Sequence, residues 1–161
     1  MLSGLHFLTH IGMGWIIANL LPASRKDRWM IVLAGVLLDL DGVAILWSRS
    51  VYEATHRAAG HSLVFCLLLV VIVLLCADAR WKTAALTAIS FHLHLVLDLV
   101  GTGGLPIRYF WPFSEWGWQY AGHWVLAAWQ NAVVTAVTLA GVVAIAARNA
   151  RRPRTIFVKI P

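Results

Sequence analysis

Charge is scarce in this chain. Only 12% of its 161 residues are Asp, Glu, Lys or Arg, about half the share in a soluble globular domain. Acids number only seven. Cysteine is nearly missing too. Cys66 and Cys76 lie within one apolar run, are not spaced as a metal or redox motif, and are expected to be buried thiols. Repeats and low-complexity segments are absent, which leaves one domain. No basic stretch precedes the first apolar run, and that run holds His6 and His10, so no cleavable signal peptide is expected.

What the chain has in abundance is apolar sequence, at 60% of residues with a mean hydropathy of +0.76. Five apolar segments stand out, at roughly residues 5–21, 29–47, 62–77, 81–100 and 121–147. Most approach the ~20 residues that span a bilayer as a helix. The expected fold is an all-α, polytopic membrane bundle of about five transmembrane helices. Residues 1–147 would form the integral-membrane domain and 148–161 a basic cytoplasmic tail.

The net charge of +6 does not point to nucleic acid, because the basic residues sit in short connections and in the tail. With five spans and the amino terminus outside, Arg25, Lys26, Arg28, Arg80, Lys82, Arg148, Arg151, Arg152, Arg154 and Lys159 fall inside. Arg49, Arg57 and Arg108 fall outside. That asymmetry is the positive-inside pattern.

The same topology brings nearly every histidine to one level. His6 and His10 lie in the outer half of the first segment. Asp39 and Asp41 lie in the outer half of the second, His56 and His61 at the mouth of the third, and His94 with Asp98 in the outer part of the fourth. His123 would open the fifth. An aspartate in a membrane helix costs about 2.5–3.5 kcal/mol at the centre, and a cation held between several such residues offsets that cost. His94 and Asp98, one turn apart on one helical face, can grip one ion together, whereas His92 points elsewhere. Asp39 and Asp41 cannot share a face of an ideal helix. Either the helix loosens near Gly42, or one of them binds metal while the other orients a ligand histidine.

Imidazole and carboxylate donors without thiolate suit zinc, with manganese or iron as alternatives, in a site with open positions. Three carboxylates exceed what one divalent ion needs, so two ions bridged by an aspartate are attractive.

These residues also resemble a family. Thr9-His10 with Gly14, Leu38-Asp39-Leu40-Asp41, His56-Arg57, His61-Ser62-Leu63, His94 with Asp98, and the later Gly-Leu-Pro and Trp-Pro-Phe-Ser occur in that order. The chain is similar to the YdjM-type membrane-bound metal-dependent hydrolases, which share motifs with the zinc-dependent phospholipase C and single-strand nuclease superfamily. Leu38 stands where the family has proline, and Ala58 and Gly60 where it has Gly and Thr. The resemblance implies a metal shell drawn from His10, Asp39, Asp41, His56, His61, His94 and Asp98, and a bacterial or archaeal inner-membrane location. His6, His92 and His123 match none of its motifs.

The expected function is hydrolysis of a lipid-headgroup phosphoester at the non-cytoplasmic face, with Asp41, His56 and Arg57 as candidate catalytic residues. Asp41 or His56 would shuttle a proton if not a ligand. Arg57 suits either a side chain snorkelling to the interface or a bidentate clamp on phosphate. The competing expectation is a non-enzymatic metal carrier or a metal-stabilised structural or regulatory protein. Almost wholly apolar inner halves, at 30–36, 65–75 and 84–89, argue against transport.

Overall fold

Serine begins three of the helices. The computed structural model describes residues 3–151. In it Ser24, Ser48 and Ser62 each accept a backbone N–H three residues on, at 3.1, 3.1 and 3.2 Å, which caps a helix start that would otherwise leave donors unsatisfied. The elements in order are α1 (Ser3–Leu20), α2 (Arg25–Ala34), a 3-10 helix (Leu37–Leu46), α3 (Arg49–Thr55), α4 (Leu63–Cys76), α5 (Arg80–Gly101) and α6 (Trp129–Ala150).

The α5 start lacks a side-chain cap of its own and borrows one. Asp27 of α2, fully buried, accepts from Asp78 N at 2.9 Å, Ala79 N at 3.0 Å and Thr83 Oγ1 at 3.0 Å. Beside it, the hydrogen-bonded Lys26 ammonium holds the exposed Asp78 carboxyl below its ordinary value. One aspartate thus ties the starts of α2 and α5 together.

The centre of the bundle is α5, which packs on α1, α2 and α4, while α6 covers α1. Its buried face reads Thr83, Thr87, Ser90, His94, Asp98 and Gly101, a small and polar stripe at helical spacing. In a bilayer the lipid is as apolar as leucine, so helices associate by close packing of small residues. Gly14 of α1 and Gly35 after α2 supply that closeness at Ser90, where an added Cβ would lie 3.3 and 2.7 Å from the Ser90 hydroxyl.

Among the described residues two helices, α5 and α6, are long and apolar enough to cross a membrane, and α2 with the 3-10 helix makes a third if that pair, bent by 49°, is one span. Five transmembrane helices are therefore not shown. α4 has only 14 residues, about 21 Å at 1.5 Å per residue, and α1 is diluted by its histidines and Asn19. The second apolar segment breaks at Gly35-Val36. The fifth begins as helix at Trp129, not near residue 121.

The chain between α5 and α6 folds back over the Asp98 end of the bundle. Gly103 and Gly104 turn it with φ of 85° and 81°, conformations that glycine adopts without strain. A Cβ at Gly104 would collide with the His123 ring. Ile107 and Trp118 then exchange two backbone hydrogen bonds, both 2.9 Å. The helical part of the expected tail runs on to Ala150, and residues 152–161 lie outside the described residues. Of the two thiols, Cys66 is buried but Cys76 is exposed, so the expected buried pair does not exist.

Candidate metal centre

Asp98 gathers side chains from three parts of the chain. The stripe on α5 buries it with His94 one turn before, at 3% and 2% exposure. From α1, His6 Nε2 donates to Asp98 Oδ1 at 3.1 Å, and His10 Nε2 lies 3.2 Å from the same oxygen without a hydrogen bond. Facing the other oxygen are Arg57 Nη2 at 3.3 Å, His61 Nε2 at 3.3 Å and His94 Nε2 at 3.7 Å. His10 and His94 stack with ring centres 3.7 Å apart.

Two of the rings are anchored by their outer nitrogens. His94 Nδ1–H donates to the Gly35 carbonyl at 2.9 Å. A carbonyl only accepts, so the ring's lone pair lies on Nε2, towards Asp39 Oδ1 at 3.5 Å. His61 Nδ1–H donates to Asp41 Oδ2 at 3.0 Å. Nε2 of His61, Nε2 of His94 and both ring nitrogens of His10 are buried without a hydrogen-bond partner. Buried polar atoms of this kind are rare and each needs an explanation.

A cation would supply that explanation, and the donors could hold one. Single donor atoms of Asp39, His61, His94 and Asp98 lie within 4.8 Å of one another, as do those of His6, His10 and Asp98. Asp98 belongs to both groups. Imidazole nitrogen and carboxylate oxygen, with carboxylate or carbonyl anchors behind the rings, are the donor and support chemistry of transition-metal sites. Burial opposes charge on His61, which precedes α4, yet Asp41 and Asp98 outweigh it and push its pKa up to about 9. The two carboxylates thus hold a proton on His61, one that a metal ion would have to displace.

Of the two arrangements open to Asp39 and Asp41, the geometry has them diverge. Asp39 faces His94, whereas Asp41 lies in neither donor group. Its Oδ1 accepts from His56 Nδ1 at 2.8 Å, and its Oδ2 accepts from His61 and from Arg57 N at 3.0 Å each. His56 stacks on Tyr52 and also falls outside both donor groups.

Arg57 does not snorkel. It is 2% exposed, with a backbone φ of 63° that is uncommon and strained for a residue with a side chain. Asp41 holds its N–H, Arg108 N donates to its carbonyl at 3.0 Å, and its guanidinium donates to Leu105 O at 2.7 Å and to the Thr102 hydroxyl. It is the ion-pair partner of Asp98.

A cavity of about 530 Å³ opens onto the cluster, bounded by His6, His10, Asp39, His56, Arg57 and Asp98, with Phe7, Leu105 and Leu126 as apolar wall. His92 lies apart, donating to Ala88 O and paired with the Tyr109 hydroxyl, both at 2.8 Å. His123 is exposed in the connection before α6 and donates to Tyr120 O at 2.6 Å. His6 belongs to a candidate donor group although it matches none of the family motifs. Its spacing of four from His10 was the available signal.

The model of the family described as "YdjM inner membrane protein" matches residues 1–160. No curated protein matches the chain, and no solved structure does.

Proposed function

The chain belongs to the YdjM inner membrane protein family, and on that footing we propose that it is a membrane-embedded, metal-dependent hydrolase of a phosphoester on a lipid headgroup. One observation carries the metal dependence. Asp98, with arginine and four histidines around it, sits among buried imidazole nitrogens that have no other partner. Asp39, His61, His94 and Asp98 would hold one divalent ion, and His6, His10 and Asp98 a second. Zinc suits these donors, with manganese or iron as alternatives. Such an ion supplies Lewis acidity, lowering the pKa of water and polarising a phosphoryl oxygen.

The remaining residues have work of their own. Asp41 fixes the His61 ring, and the Gly35 carbonyl fixes that of His94, so their Nε2 atoms stay aimed inward. His56 lines the cavity with Nδ1 donated to Asp41. Its Nε2 is then the ring atom available for a proton shuttle. Arg57 holds Asp98 and the overlying chain, and its place on the cavity wall suits contact with a phosphate oxygen. The cavity volume lies in the range of small-ligand sites, ~300–1,000 Å³, which fits a headgroup whose tails remain in the bilayer. The distribution of basic residues supports an opening on the non-cytoplasmic side.

The test is a panel of phospholipids and polyprenyl phosphates in detergent with zinc or manganese, read by phosphate or headgroup release. Activity should vanish with chelator, return with metal and fall by orders of magnitude in Asp39→Asn. A metal-loaded, folded protein that cleaves nothing in the panel would overturn the hydrolase reading. A non-enzymatic metal carrier is the second reading. The buried hydroxyls of Thr83, Thr87 and Ser90, leading along α5 away from His94, favour it.

A further inference from the structure

A second cavity, of about 250 Å³, lies between α1 and α2 and is lined by Trp15, Asn19, Arg25, Arg28, Trp29 and Val32. Asn19 and His10 are nine residues apart on α1, so the cavity is about 13 Å along the helix from the Asp98 cluster. It is a separate place.

Each wall is built at helical spacing. Trp15 and Asn19 are one turn apart on α1, as are Arg25 with Trp29 and Arg28 with Val32 on α2. Charge here is one-sided. The nearby lysines are engaged within the protein, Lys26 with Asp78 at 2.6 Å and Lys82 with Pro22 O. Asp27 turns the other way and is occupied by the start of α5. Arg25 and Arg28 have no carboxylate partner among the described residues, and Arg28 Nε is buried without a hydrogen bond. Asn19 is 92% buried, its amide donating to Trp15 O at 2.8 Å.

Arg28, with its buried unbonded Nε, the exposed Arg25 and two indoles around a small cavity give a setting suited to an anion. Guanidinium matches phosphate bidentately, and tryptophan belongs at the level of lipid headgroups. The volume is below the ~300 Å³ of a drug-sized pocket, so a phosphate group fits and a whole lipid does not. We propose that this cavity binds an anionic phosphate, from an anionic lipid headgroup or free in solution, at the end of the bundle remote from the metal centre. It requires no metal and no hydrolysis.

The test uses the full chain in neutral detergent. Native mass spectrometry after exposure to equal phosphatidylglycerol and phosphatidylcholine should show one phosphatidylglycerol retained preferentially. That preference should fall about tenfold, the loss of one charge-assisted bond, in Arg28→Gln and further in Arg25→Gln/Arg28→Gln. Arg148→Gln removes the same charge from the exposed last turn of α6 and should leave the preference intact. Arg28→Lys, which keeps the charge without the fork, should fall between. Titration with inorganic phosphate by calorimetry distinguishes the sources, since binding lost in Arg28→Gln would show that the soluble anion suffices. Absence of preference for either probe, or an equal loss in Arg148→Gln, would overturn the site. A thermal unfolding midpoint in detergent equal to the parent's shows that the variants are folded.

Discussion

His61 Nδ1 and Asp41 Oδ2 are 3.0 Å apart, which makes Asp41 the support of a candidate ligand, whereas Asp39, two residues earlier, faces His94 as a candidate ligand itself. Loss of such a support weakens metal binding by 10–100-fold in known sites. Asp41→Asn should therefore weaken metal affinity by about that factor in a competitive chelator titration. An unchanged affinity would show that His61 is not a ligand or does not need orienting.

Asp27 should matter to stability and not to metal. It satisfies two backbone donors and a hydroxyl at the start of α5 while fully buried. Removing it leaves those donors without partners, at about 1–3 kcal/mol. Asp27→Ala should lower the midpoint of thermal unfolding in detergent, with the folded fraction keeping the parent's metal stoichiometry. Parental stability would contradict the capping role.

Much of this was legible along the chain, and the failures have physical causes. The spacing of His94 and Asp98 is enough to place them on one face of α5, because helical geometry is local. The divergence of Asp39 and Asp41 is not local. It depends on α2 ending at Ala34, on the 3-10 backbone that follows, and on histidines 15 and 20 residues beyond Asp41. Arg57 reads as an interfacial cation until the turn at φ 63° carries it inward beneath the chain after α5. The apolar residues after 121 look like helix, yet hydropathy carries no information about whether backbone hydrogen bonds close locally. There they close onto α5 instead, as Trp124 N to Val100 O and Gly103 N to Trp124 O, both 2.9 Å.

The orientation in the membrane can be tested without reference to chemistry. With Cys66 and Cys76 replaced, a cysteine in the 48–53 stretch should react with an impermeant thiol reagent added from outside, and one near Lys26 should not. The reverse pattern would place the Asp98 cavity on the cytoplasmic side.

The most direct test of the account is the metal content of the purified protein. Elemental analysis should find one to two equivalents of a transition metal per chain, and less in His94→Ala and in His61→Ala, each of which removes one of the buried, unpartnered nitrogens. Because stripping a partner from a buried charge destabilises any protein, both variants must first be shown to fold. A parent protein without metal, or folded variants with undiminished metal, would contradict the assignment of the Asp98 cluster as a metal centre.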